Sequence, residues 1–350
     1  MKLSSEFLID GKTVGLNTPP YIIAEMSANH CGDEVKAKEI ISAAKECGVD
    51  AIKLQTYKAE TLTLNHKSDF FYIDQGPWAG QYMYDLYQQG ELDWDIQARL
   101  FEYAREIGLT IFSSPFDATS VDFLESVDCV AYKIASPEII DLPLIKKVAR
   151  TGKPMIISTG NATVSDIHIA VETALQQGCS DIALLKCTST YPAPPSSINL
   201  KTIEHMKEMF HTPVGLSDHT MGIAVPLGSI ALGATIIEKH FILDRNDESI
   251  DNFFSATPDE MKALVDGAKD VYAAIGHVSY PTISPQAKKS IIVVEDISVG
   301  ECFNEHNIKV LRPGGGLEPK YYDQIIGRTA VKDLKRGDVI TMEDIGSYKI

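Results

Sequence analysis

The feature that most constrains this 350-residue chain is a regular alternation of short apolar, β-branched segments with stretches of helical periodicity. Apolar residues fill both faces of these segments, which is typical of parallel strands covered on both sides. Eight strand–helix units in about 250 residues predict an α/β fold of the (β/α)8 TIM-barrel type. A doubly wound sheet is the alternative, but no glycine-rich phosphate fingerprint follows the first strand. The predicted strands are 21–26, 50–55, 109–114, 130–135, 154–159, 181–187, 213–217 and 234–240.

The stretch between the first two strands, DEVKAKEIISAAKECG, has the periodicity of an amphipathic helix that ends at Gly48. We expect its apolar residues to share one face that packs on the barrel. These residues are Val35, Ile40, Ile41 and Ala44.

A long insertion follows the second predicted strand. Residues 57–93 exceed the length of an ordinary βα loop and are rich in aromatic side chains. They form either an accessory subdomain that packs on itself or a substrate-covering segment, because the insertion leaves from the face where barrels keep their chemistry. The two interpretations are compatible. The aromatic residues are Phe70, Phe71, Tyr72, Trp78, Tyr82, Tyr84 and Tyr87.

The pattern changes towards the C-terminus, so we predict a catalytic barrel over 1–276, a linker over 277–290 and a small domain over 291–350. Within the last segment, residues 294–303 align without gaps on residues 331–340. Two copies are too few for a solenoid, and the repeat predicts a compact pseudo-two-fold β domain. A domain of this size is marginal alone and is expected to pack on another surface.

The composition excludes several classes of function. With 32 Lys and Arg against 48 Asp and Glu, the net charge of −16 disfavours binding to nucleic acids or membrane surfaces. No apolar run has the length of a membrane span, and the N-terminus lacks a secretory apolar region. The six cysteines form no CxxC pair, which favours reduced thiols in a cytoplasmic protein.

Polar residues stand at the carboxyl end of every predicted strand. In a TIM barrel these ends surround the active site. A single buried Lys or Ser is usually a satisfied core residue, but that explanation does not cover all eight strands. In strand order the residues are Glu25, Ser27, Asn29 and His30; Lys53 and Gln55; Ser113 and Ser114; Lys133 and Ser136; Ser158, Thr159, Gly160 and Asn161; Lys186, Thr188 and Ser189; Ser217, Asp218 and His219; Glu238, Lys239 and His240.

Two histidines in this set suggest a metal site. His219 and His240 follow adjacent strands, and Glu25 lies on the strand that closes the ring beside them. Two imidazoles and a carboxylate can hold a divalent metal and leave positions open for a substrate. Taken singly, each His is more often a structural residue.

The lysines leave the reaction class open. Lys53, Lys133 and Lys186, with the neighbouring hydroxyls, are suited to binding a phosphate. A phosphate pocket beside a Lewis acid suits an enol phosphate that attacks a metal-polarised aldehyde. Lys53 or Lys133 is equally placed to be the nucleophile of a Schiff-base aldolase, and the spacing alone does not separate the two reactions.

Motifs across nearly the whole chain resemble the sialic acid synthase family. In order they are IAEMSANH, KLQTY, SSPFD, AYKIAS, IISTGNA, LLKCTSTYPAP, VGLSDHT and GATIIEKHF, and the tail LRPGGGLEP resembles the family's antifreeze-like (SAF) domain. Within the family, the insertion QGPWAGQYMYDLYQQG is similar to that of pseudaminic acid synthases.

The resemblance implies an enzyme that condenses phosphoenolpyruvate with an open-chain acetamido sugar and releases phosphate by C–O cleavage. For the pseudaminic members the sugar is 2,4-diacetamido-2,4,6-trideoxy-altropyranose, and the product serves surface glycans or flagellin. The resemblance also implies a divalent metal (Mn²⁺ or Mg²⁺, possibly Co²⁺). It further implies a domain-swapped homodimer in which each SAF domain caps the partner's barrel.

The resemblance also assigns residues, position by position. His219 and His240 are similar to the metal ligands, and Glu25 is similar to the residue that holds the metal-bound water or the sugar and acts as base. With Lys53 these three make up the implied catalytic set. The implied phosphoenolpyruvate pocket is Lys53, Ser114, Lys133, Ser136, Ser158, Ser189 and Ser217. The implied sugar contacts are Gln55, Tyr191, Asp251 and Arg312 of the partner chain.

Two local departures from the family pattern lie outside these positions. The linker reads Lys288-Lys289-Ser290 where the family usually has Arg-Arg-Ser, and the helix after the insertion opens with Glu91-Leu92-Asp93-Trp94 instead of a Thr-Pro-Trp step. N-acetylneuraminate or legionaminate synthesis by the same mechanism is the alternative activity. A Schiff-base aldolase and an inactive carbohydrate-binding protein are more remote alternatives.

Overall fold

The computed structural model describes residues 2–280 and 284–348, which form two compact units, Met1–Gly276 and His277–Ile350. Part of the predicted linker, residues 281–283, lies outside the described residues. Of the helices in the described part of the chain, none combines the length and apolar character needed to cross a membrane.

The first unit is built around a closed parallel barrel, as the sequence predicts. Its strands are β1 (Glu6–Ile9), β2 (Lys12–Gly15), β3 (Tyr21–Glu25), β4 (Ala51–Thr56), β5 (Tyr72–Ile73), β6 (Gln81–Tyr82), β7 (Thr110–Pro115), β8 (Tyr132–Ile134), β9 (Met155–Ser158), β10 (Ile182–Cys187), β11 (Val214–Asp218) and β12 (Ile236–His240). The barrel order is β10-β11-β12-β3-β4-β7-β8-β9, so each barrel strand pairs with the next one in sequence and β12 closes on β3. All eight predicted strands are confirmed.

Helices follow the strands and bury their apolar faces against them. They are α1 (Glu34–Cys47), α2 (Ala59–Leu62), α3 (Met83–Gly90), α4 (Trp94–Glu106), α5 (Ala118–Ser126), α6 (Leu142–Ala149), α7 (Val164–Gln176), α8 (Thr202–Phe210), α9 (Ala224–Ala231) and α10 (Pro258–Ile275). Residues next to α1 determine where the helix begins and ends. The Asp33 side chain accepts hydrogen bonds from the first-turn amides of Val35 and Lys36, and Gly48 adopts the left-handed conformation that ends the helix.

The predicted buried face of α1 is correct except at its start. Ile40, Ile41 and Ala44 are fully buried together with Ala37, but the Val35 side chain is 66% exposed. Two residues turn an α-helix by about 200°, so Val35 lies nearly opposite Ala37. Its apolar character alone gave the wrong prediction.

The hairpin of β1 and β2, which the sequence analysis did not predict, closes the amino end of the barrel. Phe7 and Val14 belong to the barrel core. Beside the hairpin, the Ser4 amide donates to the Ser180 carbonyl just before β10 (3.0 Å), and Thr110 at the start of β7 donates to the Asp10 side chain (2.9 Å). Substrates therefore have to enter from the carboxyl ends of the strands.

The second unit contains β13 (Ser290–Val293), β14 (Ile308–Leu311), α11 (Tyr322–Ile325), β15 (Arg328–Ala330) and β16 (Ile345–Tyr348). The two sequence repeats meet at its centre. Ile297 and Leu334 occupy equivalent repeat positions, and each donates its amide to the other's carbonyl, at 2.9 and 2.8 Å. Both side chains lie in the small core of this unit.

Side-chain contacts obey the same pseudo-symmetry. The Val299 amide donates to the Asp333 carboxylate at 2.8 Å, and the equivalent Arg336 amide donates to the equivalent Asp296 carboxylate at 2.9 Å. The repeat therefore encodes two halves that bind each other reciprocally, which explains why its polar as well as its apolar positions recur.

Candidate active site

A cavity opens at the carboxyl ends of the barrel strands, and most of the predicted site residues line it. Alternate residues of a strand point to opposite faces, so only every second polar residue at each strand end can reach this space. The predicted residues in the lining are Glu25, Lys53, Gln55, Ser114, Lys133, Ser136, Ser158, Tyr191, Ser217, His219, Glu238 and His240.

Two lysines and two glutamates form a buried charge cluster on one side of the cavity. Lys53 Nζ lies 2.5 Å from Glu25 Oε2 and 3.7 Å from Glu238 Oε1, and Lys133 Nζ also lies 3.7 Å from Glu238 Oε1. Burial alone would lower the pKa of Lys53, but Glu238 and Glu25 outweigh burial and raise it. Burial lowers the pKa of Lys133, against the attraction of Glu238. Both cavity lysines therefore have a buried glutamate within 4 Å.

Glu25 is the carboxylate best suited to exchange a proton. Its Oε1 accepts hydrogen bonds from the Ser27 amide (3.1 Å) and from Gln55 Nε2 (3.0 Å). Burial raises the pKa of Glu25 to about 7, although Lys53 opposes the shift. A carboxyl group with a pKa close to neutrality is what general acid–base chemistry requires.

Gly160 allows the neighbouring serine hydroxyls to approach the backbone closely. A Cβ at this position would lie 2.5 Å from Ser189 Oγ, 2.8 Å from Ser136 Oγ and 3.0 Å from Cys187 Sγ. The Gly160 amide donates to Ser136 Oγ at 3.0 Å. Ser158 Oγ is buried and has no hydrogen-bond partner among the described residues. Hydroxyls and lysines grouped in this way are suited to phosphate oxygens.

The two predicted metal ligands lie together on the other side of the cavity. The His219 and His240 ring centroids are 5.3 Å apart. His219 Nδ1 lies 3.0 Å from the Thr188 carbonyl, which as an acceptor holds the proton on Nδ1. The His219 ring also hydrogen-bonds to the Cys187 thiol, which raises the pKa of His219 although burial opposes the shift. His240 Nδ1 is buried without a hydrogen-bond partner in the described structure and lies 3.8 Å from Asp251 Oδ2.

This pair fits a divalent metal in part. Burial, followed by the nearby His219, lowers the pKa of His240 well below its ordinary value, so its imidazole is neutral, which is the form that binds a metal. Within residues 2–280 and 284–348, no three His, Cys, Asp or Glu side chains are grouped closely enough to hold an ion. In this arrangement the Glu25 carboxylate pairs with Lys53, although Glu25 and His240 are neighbours in the register of β3 and β12. The role of Glu25 beside the imidazoles stays a prediction.

An aromatic wall continues from the histidines towards the mouth of the cavity. The Tyr191 ring lies 4.4 Å from the His219 ring and 5.3 Å from that of Trp78, centroid to centroid. Trp78 belongs to the insertion, and its indole donates to the Ile250 carbonyl at 3.1 Å. The insertion also packs on itself, since the Tyr72 and Tyr82 rings are 5.2 Å apart. Both interpretations of the insertion therefore have structural support.

The remaining implied sugar and phosphate contacts lie beside the cavity or away from it. Asp251 is buried and accepts a hydrogen bond from Ser27, which in turn accepts one from Gln55. Ser189 lies behind Gly160. Arg312 belongs to the second unit, where it is exposed after β14.

Some polar residues at the strand ends do not reach the cavity. Lys186 Nζ donates to the Cys187 carbonyl at 2.6 Å and to Thr188 Oγ1 at 3.1 Å, outside the cavity lining. Strand alternation explains this result, because Cys187 points inwards and its neighbour Lys186 therefore points outwards. Asn29 is also structural, since its amide donates to the Phe241 carbonyl and to Ser255 Oγ, both at 2.9 Å.

The sequence analysis assigned no chemical role to three ionisable groups near the cavity. Glu238 pairs with both cavity lysines. Burial would raise the pKa of the Cys187 thiol, but His219, Ser136 and Lys133 lower it to about 7. Burial raises the pKa of Glu138 to about 7, and its Oε2 has no partner among the described residues. The alternation of side chains along β10 and β12 indicates that Cys187 and Glu238 face the cavity. Glu138 lies in a short 3-10 turn after a strand end, where no such pattern exists.

Comparison with known proteins gives a consistent result. Residues 40–280 match the NeuB family model, and residues 288–346 match the SAF domain. The chain is 43% identical to pseudaminic acid synthase of Helicobacter pylori, over 93% of this chain and 98% of that protein. It is 35% identical to N,N'-diacetyllegionaminic acid synthase of Campylobacter jejuni, over 91% of this chain and 98% of that protein.

A solved structure agrees with these matches. The N-acetylneuraminic acid synthetase of Leptospira borgpetersenii superposes with a TM-score of 0.72 at 31% identity, covering 81% of this chain and 94% of that one. The family model spans most of the barrel unit, and the sequence relatives align along nearly their whole length. The chain belongs to the NeuB family.

Proposed function

We propose that this protein condenses phosphoenolpyruvate with the open-chain form of 2,4-diacetamido-2,4,6-trideoxy-altropyranose, with release of phosphate, to make pseudaminic acid. The observation that carries the proposal is the divided cavity. Two buried lysines and a group of hydroxyls lie on one side, and a pair of imidazoles with an aromatic wall lies on the other. The choice of sugar is supported by the identity of 43% to a pseudaminic acid synthase against 35% to a legionaminic acid synthase.

In this proposal the lysine side binds phosphoenolpyruvate. Lys53 and Lys133 exchange their glutamate partners for the anionic groups of the substrate, so the lysines remain neutralised. The hydroxyls of Ser114, Ser136 and Ser158, which line the cavity, donate to its oxygens. This arrangement holds the substrate's C3 towards the opposite side of the cavity, where the sugar aldehyde is bound.

The chemistry then needs one C–C bond and one C–O cleavage. C3 of the enol phosphate attacks the aldehyde carbon, and positive charge develops at C2. Glu25 takes a proton from the water that attacks C2 and passes it to the aldehyde oxygen, and the proton of the new C2 hydroxyl leaves later with the phosphate. The tetrahedral centre then collapses with cleavage of the bond between C2 and the bridging oxygen. Phosphate leaves towards the lysines, which stabilise its charge.

The two imidazoles are the proposed holders of a divalent metal, which supplies Lewis-acid polarisation of the aldehyde when it is bound. His219 and His240 offer two nitrogen ligands, and oxygen ligands suit Mn²⁺ and Mg²⁺ at the positions that remain. Gln55 and Tyr191 face the same region from the cavity wall, and Asp251 lies just behind it. We assign these three to the sugar.

We also propose a domain-swapped homodimer in which Arg312 of the second unit reaches the sugar in the partner subunit's barrel. Support comes from the marginal size of the second unit and from the exposure of Arg312. Sedimentation of wild type and of Arg312→Ala, together with sugar KM values, tests this proposal. A fully active monomer at every concentration would contradict it.

The central test is phosphate release from phosphoenolpyruvate with Mn²⁺ and three sugars assayed in parallel. The sugars are the altro-configured diacetamido sugar, its 2,4-diacetamido mannose counterpart and N-acetylmannosamine. We expect turnover with the first sugar and loss of turnover in excess EDTA. Turnover with either of the other sugars alone would move the protein to the legionaminate or neuraminate activity.

Two further outcomes would overturn the mechanism itself. A covalent adduct that borohydride traps on Lys53 or Lys133, together with full activity in EDTA, would establish an aldolase. No turnover with any of the sugars in the presence of metal would favour a carbohydrate-binding protein.

A further inference from the structure

A buried ion pair lies directly behind the two histidines. Asp218 immediately precedes His219, and Lys239 immediately precedes His240. The Lys239 ammonium donates to Asp218 Oδ2 at 2.6 Å, and both side chains are almost completely buried. Asp218 and Lys239 also pair across β11 and β12 in the strand register.

Thr220 extends this pair to the far side of His219. Its amide and hydroxyl donate to Asp218 Oδ1 at 3.2 and 2.9 Å, and its carbonyl accepts from the Lys239 ammonium at 2.6 Å. The residues on both sides of His219 are therefore bound to the residue next to His240. We call Asp218, Thr220 and Lys239 the clamp.

The clamp does not face the cavity. Ser217, His219, Glu238 and His240 line the cavity, and strand alternation turns the intervening Asp218 and Lys239 to the outer face of the barrel. No substrate that binds among the strand ends can reach them. The mechanism proposed above gives the clamp no chemical role.

The clamp compensates for a feature of His240. Metal-binding histidines usually donate their second ring nitrogen to an orienting acceptor. His219 has such an acceptor in the Thr188 carbonyl, whereas His240 Nδ1 has no hydrogen-bond partner in the described structure. The position of the His240 ring therefore depends on its backbone, and the neighbouring Lys239 fixes that backbone to the turn that carries His219.

We propose that the clamp is a positioning device that sets the separation of the two imidazoles and thereby the affinity for the divalent metal. The proposal rests on the metal site of the proposed function. A buried ion pair is a weak source of stability, since desolvation of the two charges offsets most of their attraction. Here the ion pair fixes the positions of the ligands rather than adding stability, because a site with only two protein ligands depends on their preorganisation.

The test compares Mn²⁺ affinity in the full chain, measured from the EPR signal of free Mn²⁺, between wild type and Asp218→Asn/Lys239→Met. The double variant removes both charges and roughly preserves side-chain size. We expect Mn²⁺ to bind about 10- to 100-fold more weakly, as is typical when groups that orient metal ligands are removed. The KM for phosphoenolpyruvate is expected to stay within about twofold, because the clamp does not touch the lysines.

Lys12→Met/Asp50→Asn is the control, because it removes an ion pair of the same residue types at the amino end of the barrel, where Lys12 is half exposed. It is expected to leave the Mn²⁺ affinity unchanged even where it lowers the Tm. Thr220→Val keeps the ion pair and removes only the hydroxyl hydrogen bonds, so it should fold and weaken Mn²⁺ binding by a smaller factor, about two- to fivefold.

The outcomes separate the inference from the proposed function. If wild type binds Mn²⁺ and both clamp variants bind it equally well, the clamp is only structural and the inference is wrong. The same conclusion follows if the control weakens Mn²⁺ binding as much as the clamp variants do. If wild type binds no Mn²⁺, Mg²⁺ or Co²⁺, the metal site of the proposed function fails and the inference fails with it.

Discussion

The two sides of the cavity are built in different ways. The lysine side (Lys53, Ser114, Lys133, Ser136 and Ser158) comes from strands β4, β7, β8 and β9 and from the residues at their ends, and its charges are compensated by buried glutamates. The histidine side (Trp78, Tyr191, His219, His240 and Phe254) comes mostly from loops, and aromatic rings contact one another throughout it.

This difference separates a general task from a specific one. Strand ends in a closed barrel are rigid, which suits a substrate shared by all reactions of this kind, such as phosphoenolpyruvate. Loops tolerate insertion and change, which suits the choice among related sugars. Trp78 connects the insertion to the histidine side, because it belongs to the insertion and contacts Tyr191 beside the histidines. The predictions below test whether the two sides can be altered separately.

The largest effect is expected at the histidine side with His240→Ala. The variant should lose turnover and measurable Mn²⁺ binding, because it removes one of only two proposed metal ligands. Phosphate release and EPR titration with Mn²⁺ check this. His168→Ala, on an exposed position of α7, is the control and should behave as wild type. Full turnover of His240→Ala in excess EDTA would exclude a metal at this site.

The largest effect at the lysine side is expected from Lys53→Met. This change removes the charge proposed to stabilise the departing phosphate and leaves Glu25 buried without its cation, so kcat/KM should fall by about 10³-fold. Lys186→Met is the matched control. Lys186 lies on the outer face of β10, so its loss should change kcat/KM by less than about threefold. Equal losses in both variants would show that the cavity lysine has no special role.

A pH profile sharpens the role of Glu25. Burial raises its pKa to about 7, and the carboxylate form is the proposed base, so we expect activity to be retained above pH 7 and lost as pH falls below it. One pH unit below the pKa, kcat/KM should be about tenfold lower than its plateau. Steady-state rates in buffers of constant ionic strength check this expectation. Glu25→Gln should remove this acid limb together with most of the activity; an unchanged limb in that variant would assign the titration to another group.

Gly160→Ala tests whether the phosphate space can be filled without touching the histidine side. The added methyl group would meet Ser189 Oγ and Ser136 Oγ at 2.5 and 2.8 Å, so the KM for phosphoenolpyruvate should rise by about tenfold. The KM for the sugar should change little. Gly228→Ala is the control, since its methyl group would meet Leu200 at an ordinary 3.7 Å. A rise in the sugar KM alone would contradict the division of the cavity.

Trp78→Ala should give the smallest effect and the opposite pattern. Loss of the indole removes its contact with Tyr191 and its hydrogen bond to Ile250, which should raise the sugar KM by about three- to tenfold and leave the phosphoenolpyruvate KM unchanged. Trp78→Phe retains a ring and should recover part of the loss. A rise in the phosphoenolpyruvate KM alone would assign Trp78 to the lysine side and contradict this division of the cavity.

The sequence predicted the barrel well because its signal is local and repeated. Every barrel strand was recognised from a short apolar run, and the repeat at 294–303 and 331–340 predicted the pseudo-two-fold arrangement that the second unit contains. The hairpin of β1 and β2 was missed, since two four-residue strands next to polar turns have too little apolar pattern to stand out. Its role depends on contacts with residues far along the chain.

The sequence predicted which residues belong to the site but not which of their side chains contact each other. Strand ends indicated which side chains could face the cavity, but the one-residue alternation that separates Lys186 from Cys187 requires the exact strand register. The pairing of Glu25 with Lys53, rather than with the histidines, depends on distances of a few ångströms between strands. The roles of the lining residues remain predictions that the variants above test.

The most direct test of the account follows the bridging oxygen of phosphoenolpyruvate. With ¹⁸O placed between C2 and phosphorus, the diacetamido sugar and Mn²⁺, the account predicts that the label leaves with inorganic phosphate, because the lysine side receives the phosphate through C–O cleavage. Mass spectrometry of the phosphate and of the sugar product measures this. Label retained in the sugar product would mean P–O cleavage and would contradict the mechanism assigned to this cavity.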